Sequence, residues 1–118
     1  MLYDLAVIIA VYNSSCTIET LINRINACFT DETITMRILL IDDFSMDDSP
    51  VLIDRMAERS ANITAIHLKK NYGQQSALLC GLRNARNSRY VATIDDDLQQ
   101  APEILKQLYQ YIVSHEAD

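Results

Sequence analysis

The sequence has no basic cluster beyond Lys69 and Lys70, and its 10 Lys and Arg against 16 Asp and Glu leave a net charge of -6. That balance excludes a chain built as a whole to grip nucleic acid. No apolar run approaches the roughly 18 residues that a membrane span needs. The run at residues 5–11 is short, follows Asp4 rather than a basic region and lacks a cleavage pattern, so it does not read as a signal peptide. The 3 cysteines, Cys16, Cys28 and Cys80, are odd in number and have no metal-ligand spacing. They are expected to be small buried hydrophobes in a reducing compartment, hence a cytoplasmic chain. There is also no internal linker, no low-complexity segment and no long repeat. What is present, 118 residues with 49% hydrophobic and 22% charged side chains, describes an ordinary globular chain of one domain.

Residues 5–11 are continuously apolar, the mark of a strand buried on both faces of a parallel sheet. Tyr12 and Asn13 end it, and Ser14 or Ser15 is placed to cap a helix carrying Ile18, Leu21, Ile22, Ile25 and Phe29 on one face. After a polar turn at residues 30–33, a second strand at residues 36–41 runs into Asp42 and Asp43. Ser49 as a cap, with Pro50 at the first helical position, is expected to open a helix with Leu52, Ile53, Met56 and Ala57 inward. Residues 62–68 alternate, which puts a third strand nearer an edge. The next helix, reaching about residue 87, is expected to bury Ala77, Leu78, Leu82 and Ala85. Gly81 in its interior costs roughly 1 kcal/mol relative to Ala, so a close backbone approach is its expected reason. Residues 91–94 form the fourth strand, and a helix from Pro102 carries Ile104, Leu105, Leu108 and Ile112. The order βαβαβαβα predicts an α/β fold, a parallel sheet of about four strands with helices on both faces. Such sheets bind ligands outside the carboxyl ends of their strands.

The acid of the sequence gathers at those ends. Asp95, Asp96 and Asp97 follow the fourth strand directly. In an extended chain Asp95 and Asp97 share one side while Asp96 points to the other. Unit charges about 4 Å apart repel by roughly 1 kcal/mol in water and about 4 at an effective dielectric of 20. A hard divalent cation, Mg2+ or Mn2+, offsets that repulsion and commonly shares its shell with phosphates. The plain alternative is a solvated acidic loop. A phosphotransfer site fails on order, because a receiver domain needs its acidic pair after the first strand, where this chain has Tyr12 and Asn13.

The motifs in chain order are Val11, Tyr12 and Asn13; Asp42, Asp43, Ser45 and Asp47; Asn71, Tyr72 and Gly73 leading to Gly81; and Asp95, Asp97, Leu98 and Gln99 followed by Pro102 and Glu103. Together this pattern resembles the nucleotide-sugar half of a family 2 glycosyltransferase, and it covers essentially the whole chain. The resemblance implies a Rossmann-like GT-A fold, with residues 1–118 as one partial domain whose acceptor half is absent. The Asp-x-Asp-Leu-Gln form looks closest to enzymes that transfer a sugar to polyprenyl phosphate.

Carried onto this sequence, the resemblance implies that Asp42 accepts a hydrogen bond from the base of a UDP- or GDP-linked sugar, with Val11 and Tyr12 as the pocket wall. Asp43, Asp95 and Asp96 belong to the same donor-binding set, and Asp95, Asp97 and Gln99 to the metal. No residue is assigned as the acceptor base. The fragment is therefore expected to bind donor with little turnover of its own, at the inner face of a membrane in the longer protein. The alternative function is a non-catalytic nucleotide- or metal-binding module.

For Asp42 and Asp43 the structural alternative is a cap on the following loop, and for Asp47 a side chain that fixes its turn. Lys69 and Lys70 either are solvated or rim a phosphate pocket. His67 and His115 show no partner pattern. Ala10 stands where the family often has proline and Phe44 where it often has glycine. The edge strand and the face left for the absent half allow a homo-oligomer.

Overall fold

The computed structural model describes residues 2–30 and 33–116. Asp31 and Glu32 of the expected polar turn, and Ala117 and Asp118 at the chain end, lie outside the described residues. The elements run β1 (Tyr3–Val11), α1 (Ile18–Cys28), β2 (Met36–Asp42), α2 (Ser49–Arg59), β3 (Ile63–His67), α3 (Gln74–Asn84), β4 (Ser88–Thr93) and α4 (Ile104–His115). A 4-stranded sheet forms in the order β3-β2-β1-β4, with every pairing parallel. β1 and β2, the continuous apolar runs, are its centre; alternating β3 is an edge, as its pattern predicts.

Side-chain parity divides the core. Leu5, Val7, Ile9 and Val11 of β1 join Ile38 and Leu40 of β2 in one cluster with Ile18, Leu21, Ile22 and Ile25 of α1, Ile53 of α2 and Leu105 of α4. Ala6, Ile8, Leu39 and Ile41 face the other way, onto Ala77 in the first turn of α3 and Ala85 at its C-cap. Helices therefore cover both faces. Gly81 is the reason α3 lies so close: a Cβ there would collide with Cγ2 of Ile8.

Several local expectations are corrected. Neither Ser14 nor Ser15 caps α1, whose N-cap is Thr17; the Ser14 carbonyl instead accepts the N–H groups of Thr17 and Ile18 at 3.0 and 2.9 Å. α3 ends at Asn84, and Leu82 lies on its outer side, 47% exposed. On α4 only Leu105 is buried, while Ile104, Leu108 and Ile112 stand about half exposed because a single helical stripe meets the sheet. Cys16 is exposed, and Cys28 and Cys80 are half-buried thiols rather than core residues. Among the described residues no helix is long and apolar enough to cross a membrane.

Candidate nucleotide and metal site

The chain leaves β1 toward β2 on one side and β4 lies on the other, so the carboxyl end of β1 is the point where strand order reverses. A crevice of about 450 Å³ opens there, lined by Tyr12, Asp43, Asn71, Gly73, Gln74 and residues 95–97, with Ala10 at its base. The loops that build it are bent sharply. Asn13 (φ 51), Phe44 (φ 61) and Leu98 (φ 63) adopt the left-handed conformation without being glycine, and each follows a different strand into this end of the sheet. Such residues cost about 1–2 kcal/mol each and persist only where surrounding contacts hold them. The family-like glycine position taken by Phe44 thus keeps a glycine-like backbone.

The contacts that hold them cross between loops. Asp96 Oδ2 accepts the Tyr12 N–H at 2.9 Å, and the Asp96 carbonyl accepts the Thr17 hydroxyl at 2.6 Å. The Ser45 hydroxyl accepts the Asn13 N–H at 3.0 Å, and Asn13 Oδ1 accepts the Met46 N–H at 2.8 Å. Asp47 fixes its turn, as one sequence reading has it, by accepting the N–H groups of Ser49 and Ser15 at 2.9 and 3.0 Å. Burial alone would push the Asp47 carboxyl up, but these bonds from Ser49 and Ser15 outweigh it and hold it at about 2.

Adjacent acids of β2 part company at the strand end. Asp43 lines the crevice, and its oxygens accept the N–H groups of Tyr72 and Gly73 at 2.8 and 3.0 Å. It thereby ties the loop before α3 to the end of β2, and Gly73 (φ 97) supplies the turn that loop needs. Asp42, only 3% exposed, falls on the α1 and α2 side with Leu40 and does not line the crevice. Its Oδ1 accepts the Ser45 N–H at 3.0 Å and its Oδ2 meets His67 Nδ1 at 3.1 Å. The expected contact of Asp42 with a base edge is therefore not one this geometry offers. Val11 is likewise fully buried in the core, and of the two expected wall residues Tyr12 is the one that lines the crevice.

Beyond β4 the chain is no longer extended, so the two-residue alternation stops and Asp95, Asp96 and Asp97 all face the crevice. Asp95 Oδ1 accepts from the Gln74 side-chain amide at 3.1 Å, and Asp97 Oδ1 accepts the Gln99 N–H at 3.1 Å. Each acid keeps its second oxygen without a protein donor among the described residues. Among those residues no three His, Cys, Asp or Glu side chains already converge as a cation's ligand set. The donor chemistry nevertheless suits a hard cation that completes its shell with water and phosphate oxygens, as Mg2+ commonly does. Gln99 does not line the crevice; it contributes its backbone N–H to the Asp97 turn. Lys69 and Lys70 do not line it either, and Lys70 Nζ lies 5.2 Å from the Tyr72 ring centroid.

Sequence reading assigned no site role to Gln74, Gln100 or His67. Gln74 and Gln100 brace Asp95, the latter accepting its N–H at 3.0 Å. The signal for Gln74 was its place directly after Gly73, at the start of a helix whose first residues line the crevice and whose first N–H groups lack helical partners. His67 bridges Asp42 and Asp54. Burial pulls its imidazole down, but the hydrogen bonds and charges of Asp54 and Asp42 outweigh it and raise the pKa above the ordinary value.

Comparison with known proteins accords with this geometry. The family profile described as "Glycosyl transferase family 2" matches residues 6–118. An undecaprenyl-phosphate 4-deoxy-4-formamido-L-arabinose transferase of Pseudomonas fluorescens (strain SBW25) is 34% identical over 110 residues, covering 92% of this chain and 32% of the relative. The chain thus spans about a third of the length of the curated relatives it matches. Among solved structures, S. aureus TarS 1-349 superposes with a TM-score of 0.80 at 24% identity, over 96% of this chain and 33% of that one. The same protein has been solved in complex with UDP-GlcNAc. The mannosyltransferase PcManGT from Pyrobaculum calidifontis, in complex with GDP-Man and Mn2+, superposes with a TM-score of 0.62 at 24% identity, over 72% of this chain and 25% of that one.

Proposed function

The chain belongs to glycosyl transferase family 2, and from that premise we propose that it forms the donor-binding part of a metal-dependent sugar transferase. The donor is a UDP- or GDP-linked sugar, and the acceptor of the longer enzyme is a polyprenyl phosphate at a membrane surface. The acceptor class rests on the name of the Pseudomonas fluorescens relative, and the donor class on the ligands of TarS and PcManGT. The observation that carries the reading is the crevice at the switch point, where Tyr12, Asp43 and residues 95–97 meet the N-terminus of α3. Its volume of about 450 Å³ lies within the range of roughly 300–1,000 Å³ typical of small-molecule sites.

Each residue has a task that its contacts permit. Tyr12, 46% exposed, offers a ring against which a base can lie. Asp43 has used a lone pair on each oxygen and retains acceptor capacity for an imide or guanine N–H. The free N–H groups at the start of α3 favour phosphate oxygens. Asp95 and Asp97 are the cation ligands, with Gln74 and Gln100 holding Asp95 in place. When bound, the divalent ion offsets charge developing on the leaving nucleoside diphosphate. Acceptor-side chemistry is assigned to no residue of this chain.

Calorimetric titration of UDP, GDP and a small set of their sugar conjugates, with and without MnCl2, tests the proposal. One base is expected to bind with Mn2+ dependence. Absence of heat and of any melting shift at millimolar nucleotide with Mn2+ would remove the donor site from consideration.

A further inference from the structure

His67 closes β3 at the edge of the sheet, in register with Asp42 of β2. It does not line the crevice, yet it stands at the outer end of a chain of hydrogen bonds that runs to Asn13, the neighbour of the crevice residue Tyr12. Nε2 meets Asp54 Oδ1 of α2 at 2.7 Å and Nδ1 meets Asp42 Oδ2 at 3.1 Å. Asp42 Oδ1 accepts the Ser45 N–H at 3.0 Å. The Ser45 hydroxyl accepts the Asn13 N–H at 3.0 Å, directly beside Tyr12. The charged groups facing the ring are Asp42 from β2 and Asp54 from α2. They differ sharply in burial, with side-chain exposures of 5% and 55%.

We propose that His67 is a positioning residue for the donor site, holding Asp42 so that Asp42 and Ser45 set the turn of Tyr12 and Asn13, the wall on which the donor's base lies. The nucleotide part of this inference rests on the donor-site reading above. The physical reason is the burial of Asp42. A buried carboxylate stripped of one donor must recruit another. The turn at Phe44 and Ser45 is bonded to the same carboxylate through the Ser45 N–H, and Phe44 sits at φ 61. A shift there is passed to Asn13 through the Ser45 hydroxyl. Asp54 lies in water at its far side, so the same ring gives much less to the site through Nε2.

Side-chain shape separates the two ring nitrogens. The amide nitrogen of Asn overlays Nδ1 and can still reach Asp42, whereas that of Gln overlays Nε2 and reaches Asp54; neither titrates. The test compares His67→Ala, His67→Asn, His67→Gln and Asp54→Asn by amide 1H–15N spectra of the nucleotide-free chain and by titration with UDP and GDP in MnCl2. His67→Ala and His67→Gln are expected to move the Tyr12, Asn13 and Ser45 amide signals and to weaken the preferred nucleotide by between about 2-fold and 30-fold. His67→Asn and Asp54→Asn are expected to leave the signals near their native positions and the affinity within about 2-fold. Unmoved signals in His67→Ala, or identical behaviour of the Asn and Gln variants at His67, would overturn the inference. If the native chain binds neither nucleotide, the donor-site reading fails, and the amide signals of the free chain still decide whether His67 governs the turn.

Discussion

The Asp96 carboxylate accepts the backbone N–H of Tyr12 at 2.9 Å across 84 positions of sequence. The loop after β4 thereby fixes the loop after β1, and the two walls of the crevice become one unit. Replacing Asp96 by Ala removes the acceptor, while Asn keeps an oxygen in the same place. A hydrogen bond of this kind contributes about 0.5–1.5 kcal/mol net. Asp96→Ala is expected to lower Tm by about 2–6 °C in scanning calorimetry and to weaken UDP or GDP binding, with Asp96→Asn closer to native on both measures. Native affinity in the Ala variant would show that the Tyr12 wall does not depend on this bond.

Asp97 differs, because its carboxylate serves only its own turn through the Gln99 N–H. Nothing else in the fold leans on it among the described residues. Asp97→Asn is therefore expected to leave the metal-free chain equally stable or slightly more so, since a negative charge leaves the acidic cluster. In the native chain, Mn2+ with nucleotide at a hundredfold excess over the dissociation constant is expected to stabilise by about 2.7 kcal/mol. The Asn variant should lose the Mn2+-dependent part of that gain. A large drop in the metal-free Tm would instead mark Asp97 as structural.

Gly81 is the packing counterpart of these loop contacts. A Cβ at this position runs into Cγ2 of Ile8, which is fully buried. The helix-propensity gain of about 1 kcal/mol for Gly81→Ala is set against overpacking of typically 1–3 kcal/mol. The expected outcome is a net loss of stability in urea unfolding. The Ile8→Ala and Gly81→Ala double variant should be more stable than the sum of the single changes predicts, because the collision is gone. A simple sum would mean that α3 shifts outward freely.

Strand parity and helical spacing made most of the fold legible. The apolar runs of β1 and β2 marked the sheet centre, the alternation at residues 62–68 marked an edge, and Gly81 announced a close approach. The face of Leu82 was misread, and the exposure of Ile104, Leu108 and Ile112 could not be read, because apolar spacing shows that a helix has a stripe, not how much of it the sheet covers. At the site, the convergence of Tyr12, Asp43 and residues 95–97 was readable from strand ends alone. Which member of the Asp42 and Asp43 pair faces the crevice was not. It turns on a single step of parity, and β2 runs one residue further than the apolar pattern, to Asp42. His67 was invisible because its partners come from a neighbouring strand and from α2, and no spacing along the chain joins them.

Acid and base limits of stability follow from Asp47 and His67, and they have opposite signs. The Asp47 carboxyl is held at about 2 by the Ser49 and Ser15 bonds that overcome its burial, against an unfolded value of 3.8. A lowered carboxyl contributes stability that is complete above the unfolded value and disappears as pH falls from about 4 through about 2. Asp47→Ala should therefore be less stable than the native chain at pH 7, with the gap closing toward pH 2 in urea melts. For His67 burial works downward, but Asp54 and Asp42 raise the imidazole above its unfolded value of 6.5. Its contribution is complete below that value and is lost as pH rises through the higher folded one. His67→Gln should accordingly lie furthest below the native chain in mildly acidic buffer, and the difference should shrink above neutrality. A gap that widened with pH would mean that the ring is held neutral between the two carboxylates.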